Sequence, residues 1–71
     1  MSTETFADKL AAARRRAGLT QAECGKILEK GTRTVERWEA GELIPAGITQ
    51  EGALARLAKL PPLNLDPRSN V

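Results

Sequence analysis

Apolar positions along most of this chain recur at helical spacing, and breakers divide them into four segments. Phe6, Leu10, Ala13 and Ala17 fall within one narrow arc and predict a first helix from about Thr5 to Ala17. Gly18 is placed to end it in a left-handed cap, because glycine has no Cβ to clash there. Thr20 caps a second helix, about 20–28, and Glu23 three residues on completes a capping-box pattern. That helix buries Cys24, Ile27 and Leu28. A third helix, about 32–40, is closed by Gly41. Its Val35, Trp38 and Glu39 point toward the core, and Thr32, Arg33, Glu36 and Arg37 share the opposite face. Pro45 marks an exit loop. A fourth helix begins between Ala46 and Thr49, runs to Leu60 and is stopped by Pro61 and Pro62. Leu54, Leu57, Ala58 and Leu60 give it an apolar side. Gly47 and Gly52 weaken it, so packing must hold it. The tail PPLNLDPRSNV reads as extended. The expectation is a compact all-α domain of four helices, or five, over residues 1–60, with a tail at 61–71.

Composition narrows the chemistry. Seventy-one residues make one domain with a thin core, a size that often gains stability from a partner. One Cys and no His rule out a disulfide framework or a zinc site within one chain. Cys24 reads as a small core residue, since no His exists to activate it. There are no carboxylates paired for acid–base work and no phosphate loop, so neither an enzyme nor a cofactor is expected. The apolar runs are too short for a membrane span, and MSTETFADKL lacks a signal-peptide pattern, which predicts a soluble cytoplasmic protein. Net charge is only +2, but it is unevenly spread. Residues 9–37 carry eight Lys and Arg against three Glu, while the flanking segments are slightly acidic. A localised basic half suits a polyanionic partner, although an ordinary solvated surface would look the same.

Residues 19–45, LTQAECGKILEKGTRTVERWEAGELIP, read as helix, tight turn, helix and exit loop, a unit able to place one helix in the DNA major groove. The stretch resembles the helix-turn-helix of the phage-repressor superfamily of Cro, cI and Xre-type regulators. The resemblance is ungapped from Leu19 to Gly41. It keeps Thr20-Gln21, Val35, the run Arg37-Trp38-Glu39, and Ala40-Gly41. It implies a lambda-repressor-like fold and double-stranded DNA as partner, and it gives Gly25 the family's small residue of close helix approach. The turn departs from the family, which usually has Gly at the position of Glu29 and an apolar residue at that of Lys30. Here the glycine comes later, so either Gly31 supplies the positive φ or the turn is reshaped. The segment PAGITQEGALARLAKLPP is similar to the ends of very small phage regulators, including those encoded beside anti-CRISPR genes. In those, the last helix and tail serve dimerisation. That resemblance implies Leu54, Leu57, Leu60, Leu63 and Leu65 as interface residues of a homodimer; otherwise these leucines only close the monomer core.

Arg33 and Arg37 are the leading base-contact candidates. They are four residues apart, so both project from one helix face, and each offers a forked donor matched to guanine O6 and N7. The resemblance places Thr32 with them. Glu36 either accepts from a cytosine amino group, pairs with a neighbouring arginine, or repels phosphate; the sequence does not choose. The resemblance assigns Gln21 to a backbone phosphate, and Thr20, Lys30, Thr34 and the Trp38 indole are further phosphate candidates. Arg14 borders the apolar stripe of the first helix and Glu39 faces inward, and the family commonly joins matching positions in an internal salt bridge. The reading that follows is a sequence-specific DNA-binding regulator, a repressor acting as a homodimer on an inverted repeat. A protein-interaction module, an antitoxin or adaptor using the same fold, is the rival. Leu43-Ile44 and the leucine-rich tail favour it.

Overall fold

Each helix starts from a residue with extended backbone, and the first two start at a threonine whose side chain closes a capping box. A computed structural model describes residues 4–61, which form α1 (Phe6–Arg16), α2 (Gln21–Leu28), α3 (Thr32–Ala40) and α4 (Gly47–Ala58). No strand occurs among the described residues, so the fold is the all-α one that the pattern predicts. At α1, Thr5 Oγ1 accepts from the Asp8 N–H and Asp8 Oδ2 accepts from the Thr5 N–H, both at 3.2 Å. At α2, Thr20 Oγ1 accepts from the Glu23 N–H at 3.1 Å and Glu23 Oε1 from the Thr20 N–H at 2.8 Å. Each cap satisfies amides that the helix itself leaves unpaired, and is worth about 1 kcal/mol.

Three helices end in the same motif. The Leu19 N–H reaches Arg14 O, the Lys30 N–H reaches Gly25 O, and the Glu42 N–H reaches Arg37 O. Each such bond requires a left-handed residue just before its donor. Gly18 and Gly41 fill that place for α1 and α3, with φ of 72° and 77°. For α2 it is Glu29, at φ 59°, the one non-glycine residue with positive φ among those described. Gly31 instead sits at φ −72° as the N-cap of α3. The turn therefore keeps its backbone path, and Glu29 bears the strain that a glycine would not. Gly25 has a separate reason to be glycine. A Cβ there would lie 2.6 Å from Lys30 O and 3.3 Å from the Gly31 carbonyl carbon, so the turn passes directly over it.

The core is Leu10, Cys24, Leu28, Val35, Trp38, Ala53 and Leu57, with Phe6, Ala13, Leu19, Ile27 and Leu60 packed around it. Phe6 meets Trp38 edge to face, with ring centroids 5.8 Å apart. Two expectations for α4 are corrected. It buries Ala53 and Leu57, whereas Leu54 is half-buried and Ala58 exposed. In an alanine- and leucine-rich helix a small rotation satisfies the pattern almost equally well, and here Ala53, not Leu54, is turned into the core. The helix also stops at Ala58 rather than Leu60, because a proline at 61 disfavours helical backbone in the residue before it. Arg16 Nη1 donates to Leu60 O at 3.2 Å, and Arg56 Nη1 to Ile27 O at 3.1 Å, tying α4 back to α1 and α2. Leu63 and Leu65 lie outside the described residues.

Gly25→Ala is expected to lower stability by about 1–3 kcal/mol, since the new methyl must displace a backbone carbonyl. Glu29→Gly is expected to raise it by about 1 kcal/mol by relieving the left-handed residue, and Glu29→Val to lower it. Urea denaturation of the three variants checks the order.

Candidate nucleic-acid interface

The outward face of α3 follows from its inward one. Val35 and Trp38 are buried, so Thr32, Arg33, Glu36 and Arg37 are turned to solvent, and all four are exposed. Among the described residues none of these four makes a side-chain hydrogen bond or ion pair with another. Glu36 is thus not pinned to either arginine, and of its three readings the pairing with a neighbour is not found. The guanidinium groups of Arg33 and Arg37 are free to meet an external acceptor. The N-terminus of α3 has no side-chain cap, so its first amides are not satisfied by a capping side chain.

What aims this face is a charge cluster behind it. Arg14 Nε donates to Glu39 Oε2 at 2.6 Å and Arg14 Nη2 to Glu39 Oε1 at 3.1 Å, a two-pronged pair joining α1 to α3. The same guanidinium donates through Nη1 to Leu19 O at 2.9 Å. Gln21 Nε2 donates to Glu39 Oε1 at 3.2 Å, which brings the start of α2 into the cluster. Only 15% of the Arg14 side chain and 9% of that of Glu39 is exposed. The bond to Glu39 and its charge, acting against partial burial, hold the Arg14 pKa above its ordinary value.

The remaining candidates separate by position. Thr20 is exposed, with its oxygen accepting within the capping box; Lys30 is exposed and Thr34 half-buried beside the N-terminus of α3. Gln21 is half-buried, with one amide N–H engaged by Glu39. Trp38 is 4% exposed, and its ring is packed on Phe6 in the core. Leu57 is fully buried within its own chain and has no surface left for a second copy, whereas Leu54 and Leu60 are half-buried. Cys24 is buried beneath the cluster, and that burial pushes its thiol pKa up. The Gln21–Glu39 bond and the Arg56 contacts with Ile27 and Glu29 carried no signal in the sequence, because long polar side chains reach across elements without periodicity.

The family model of the helix-turn-helix domain matches residues 5–68, and the chain belongs to that family. No curated protein and no solved structure matches it. Membership in this family points to a DNA-binding regulator, and domains of this family are typically non-enzymatic. No helix among the described residues is long and apolar enough to cross a membrane.

Arg14→Ala leaves Glu39 without its main partner and is expected to cost about 3 kcal/mol, against less than about 0.5 kcal/mol for the exposed Arg15→Ala. Thermal melts compare them; equal small losses would remove the pair from its structural role. The Cys24 thiol is expected to resist Ellman's reagent at pH 8 in the folded protein and to react at the ordinary rate in guanidinium. Its raised pKa and its burial both suppress the accessible thiolate.

Proposed function

We propose that the chain is a sequence-specific transcriptional repressor of the Cro/cI/Xre type. It acts in the cytoplasm as a homodimer on an inverted-repeat operator. The observation that carries this reading is the exposed Arg33–Arg37 pair, unpaired among the described residues, on a helix whose opposite face is tied down by Arg14 and Glu39. In the major groove, Arg33 and Arg37 read guanine edges, Thr32 contacts a base near the helix start, and Glu36 accepts from cytosine or rejects other steps. Thr20, Gln21, Lys30 and Thr34 hold the phosphates and set the register without reading sequence. Repression follows from occupying a promoter.

One short helix reads few base pairs, and a two-fold dimer doubles the contacts with the same sequence. Residues 1–60 supply the DNA-binding domain in this reading. Leu54 and Leu60, with Leu63 and Leu65 of the tail, supply the interface. The resemblance of this end to small phage regulators encoded beside anti-CRISPR genes supports that assignment. The rival reading, a protein-interaction module, is favoured by one observation, the exposed side chains of Leu43 and Ile44. It does not conflict with DNA binding.

The test is a gel shift against the chain's own upstream DNA with a salt series. Arg33→Ala and Arg37→Ala should each lose about 1–3 kcal/mol of preference for the specific site, while melting at wild-type temperature. Lys30→Ala should weaken specific and non-specific DNA alike and lower the salt slope by about one. Wild-type operator affinity in both arginine variants would remove α3 as the reading element. For the dimer, footprinting should give half-sites about 10–10.5 bp apart or a multiple of that, with two copies bound in ultracentrifugation. A single copy on a non-palindromic site would contradict it.

A further inference from the structure

We propose that the cavity between the α2–α3 turn and α4 binds a small organic carboxylate, with its oxyanion held by Lys30 and Arg56 and its apolar body by Leu28, Trp38 and Ala53. The cavity has a volume of about 200 Å³. Leu28, Trp38 and Ala53 are core residues that also line it, and Thr49 adds a hydroxyl. The charged residues on its walls are both cations. Lys30 is exposed and belongs to no ion pair among the described residues. The Arg56 guanidinium is fixed through Nη1, which donates to Ile27 O at 3.1 Å and to Glu29 Oε2 at 3.2 Å. Its Nε and Nη2 have no partner among the described residues. Glu29 does not line the cavity and its side chain is 78% exposed, so it offsets only part of the positive charge.

Gly52 gives an independent reason to read this space as a site. It lies inside α4, where glycine costs about 1 kcal/mol relative to alanine. Its φ is not positive, and a Cβ placed there would meet nothing within 4 Å. Neither conformation nor crowding asks for glycine at this position. What the glycine does is leave one wall of the cavity without a side chain. Size and chemistry then select the occupant. Sites for drug-sized ligands enclose about 300–1,000 Å³, whereas about 150 Å³ holds benzene. A space of about 200 Å³ takes one ring or short branched chain with a single acidic head. An inorganic anion would leave the apolar walls uncovered, and a neutral ring would leave the two cations without a partner. Lys30 is also among the proposed phosphate contacts, but carboxylate binding needs no DNA.

The full chain is titrated at constant ionic strength with sodium benzoate, benzyl alcohol and inorganic phosphate, and followed by amide chemical shifts and by the fluorescence of Trp38, the single tryptophan. Benzoate should bind saturably with a millimolar Kd, as its size allows, and at least about tenfold more tightly than either of the other two. The shifts should gather at Lys30, Thr49, Gly52 and Arg56. Lys30→Gln should weaken benzoate severalfold and leave benzyl alcohol unchanged. Gly52→Leu should abolish benzoate binding by filling the space, and it should melt no lower than the wild type, since leucine is the better helix former. No saturable response, equal binding of benzoate and benzyl alcohol, or undiminished benzoate binding in both variants would overturn the proposal. So would shifts gathered at Gly41, Leu43 and Ile44, which line a second cavity that Trp38 also borders.

Discussion

The direction in which α3 presents its arginines depends on the Arg14–Glu39 pair. Helix packing in so small a core leaves the rotation and tilt of a nine-residue helix weakly determined, because apolar contacts are non-directional. A guanidinium fork is directional. It fixes Glu39 through two bonds, Leu19 O through a third, and Glu39 in turn takes Gln21. α1, the start of α2 and the inner edge of α3 are thereby held to one another. Two charges this far removed from water are tolerated only because their polar atoms are shared within the cluster, and no buried side-chain polar atom among the described residues lacks a partner.

The turn between α2 and α3 complements that anchor from the other end. Gly25 lets the Lys30 carbonyl come within what would otherwise be a steric clash, and Glu29 accepts a left-handed backbone so that the Lys30 N–H can close on Gly25 O at 2.7 Å. The two devices work in opposite senses. One is a residue without a side chain where none fits; the other is a side chain kept where glycine would be less strained. Glu29 also meets Arg56 Nη1 at 3.2 Å, but both groups are largely exposed, so that pair offsets little of the strain.

Much of this was legible in the sequence, for physical reasons that differ by element. Capping residues and glycine stops are local, so Thr20 with Glu23 and Gly18 with Gly41 announce the ends of α1, α2 and α3. The Val35–Trp38 face of α3 is legible because polar residues surround it on a short helix. α4 was not, since Ala53, Leu54, Leu57 and Ala58 allow more than one rotation, and the choice is made by what α1 and α2 leave unfilled. The turn was half legible. The displaced glycine signalled an irregularity, yet the backbone answered with strain at Glu29 rather than a shift to Gly31. The Arg14–Glu39 pairing came from the family resemblance, whereas the part played by Gln21 is a matter of side-chain reach that only three-dimensional placement reveals.

The arrangement divides the chain's surface. On one side Arg33 and Arg37 are exposed and unpaired among the described residues, and elsewhere Leu43 and Ile44 expose apolar side chains. The central claim is that the basic side reads guanines from the major groove. Methylation interference on the DNA fragment bound by the protein tests it most directly. The account predicts that methylating guanine N7 within the half-sites abolishes binding and that methylating adenine N3, in the minor groove, does not. Binding that survives guanine N7 methylation but fails on adenine N3 methylation would contradict it.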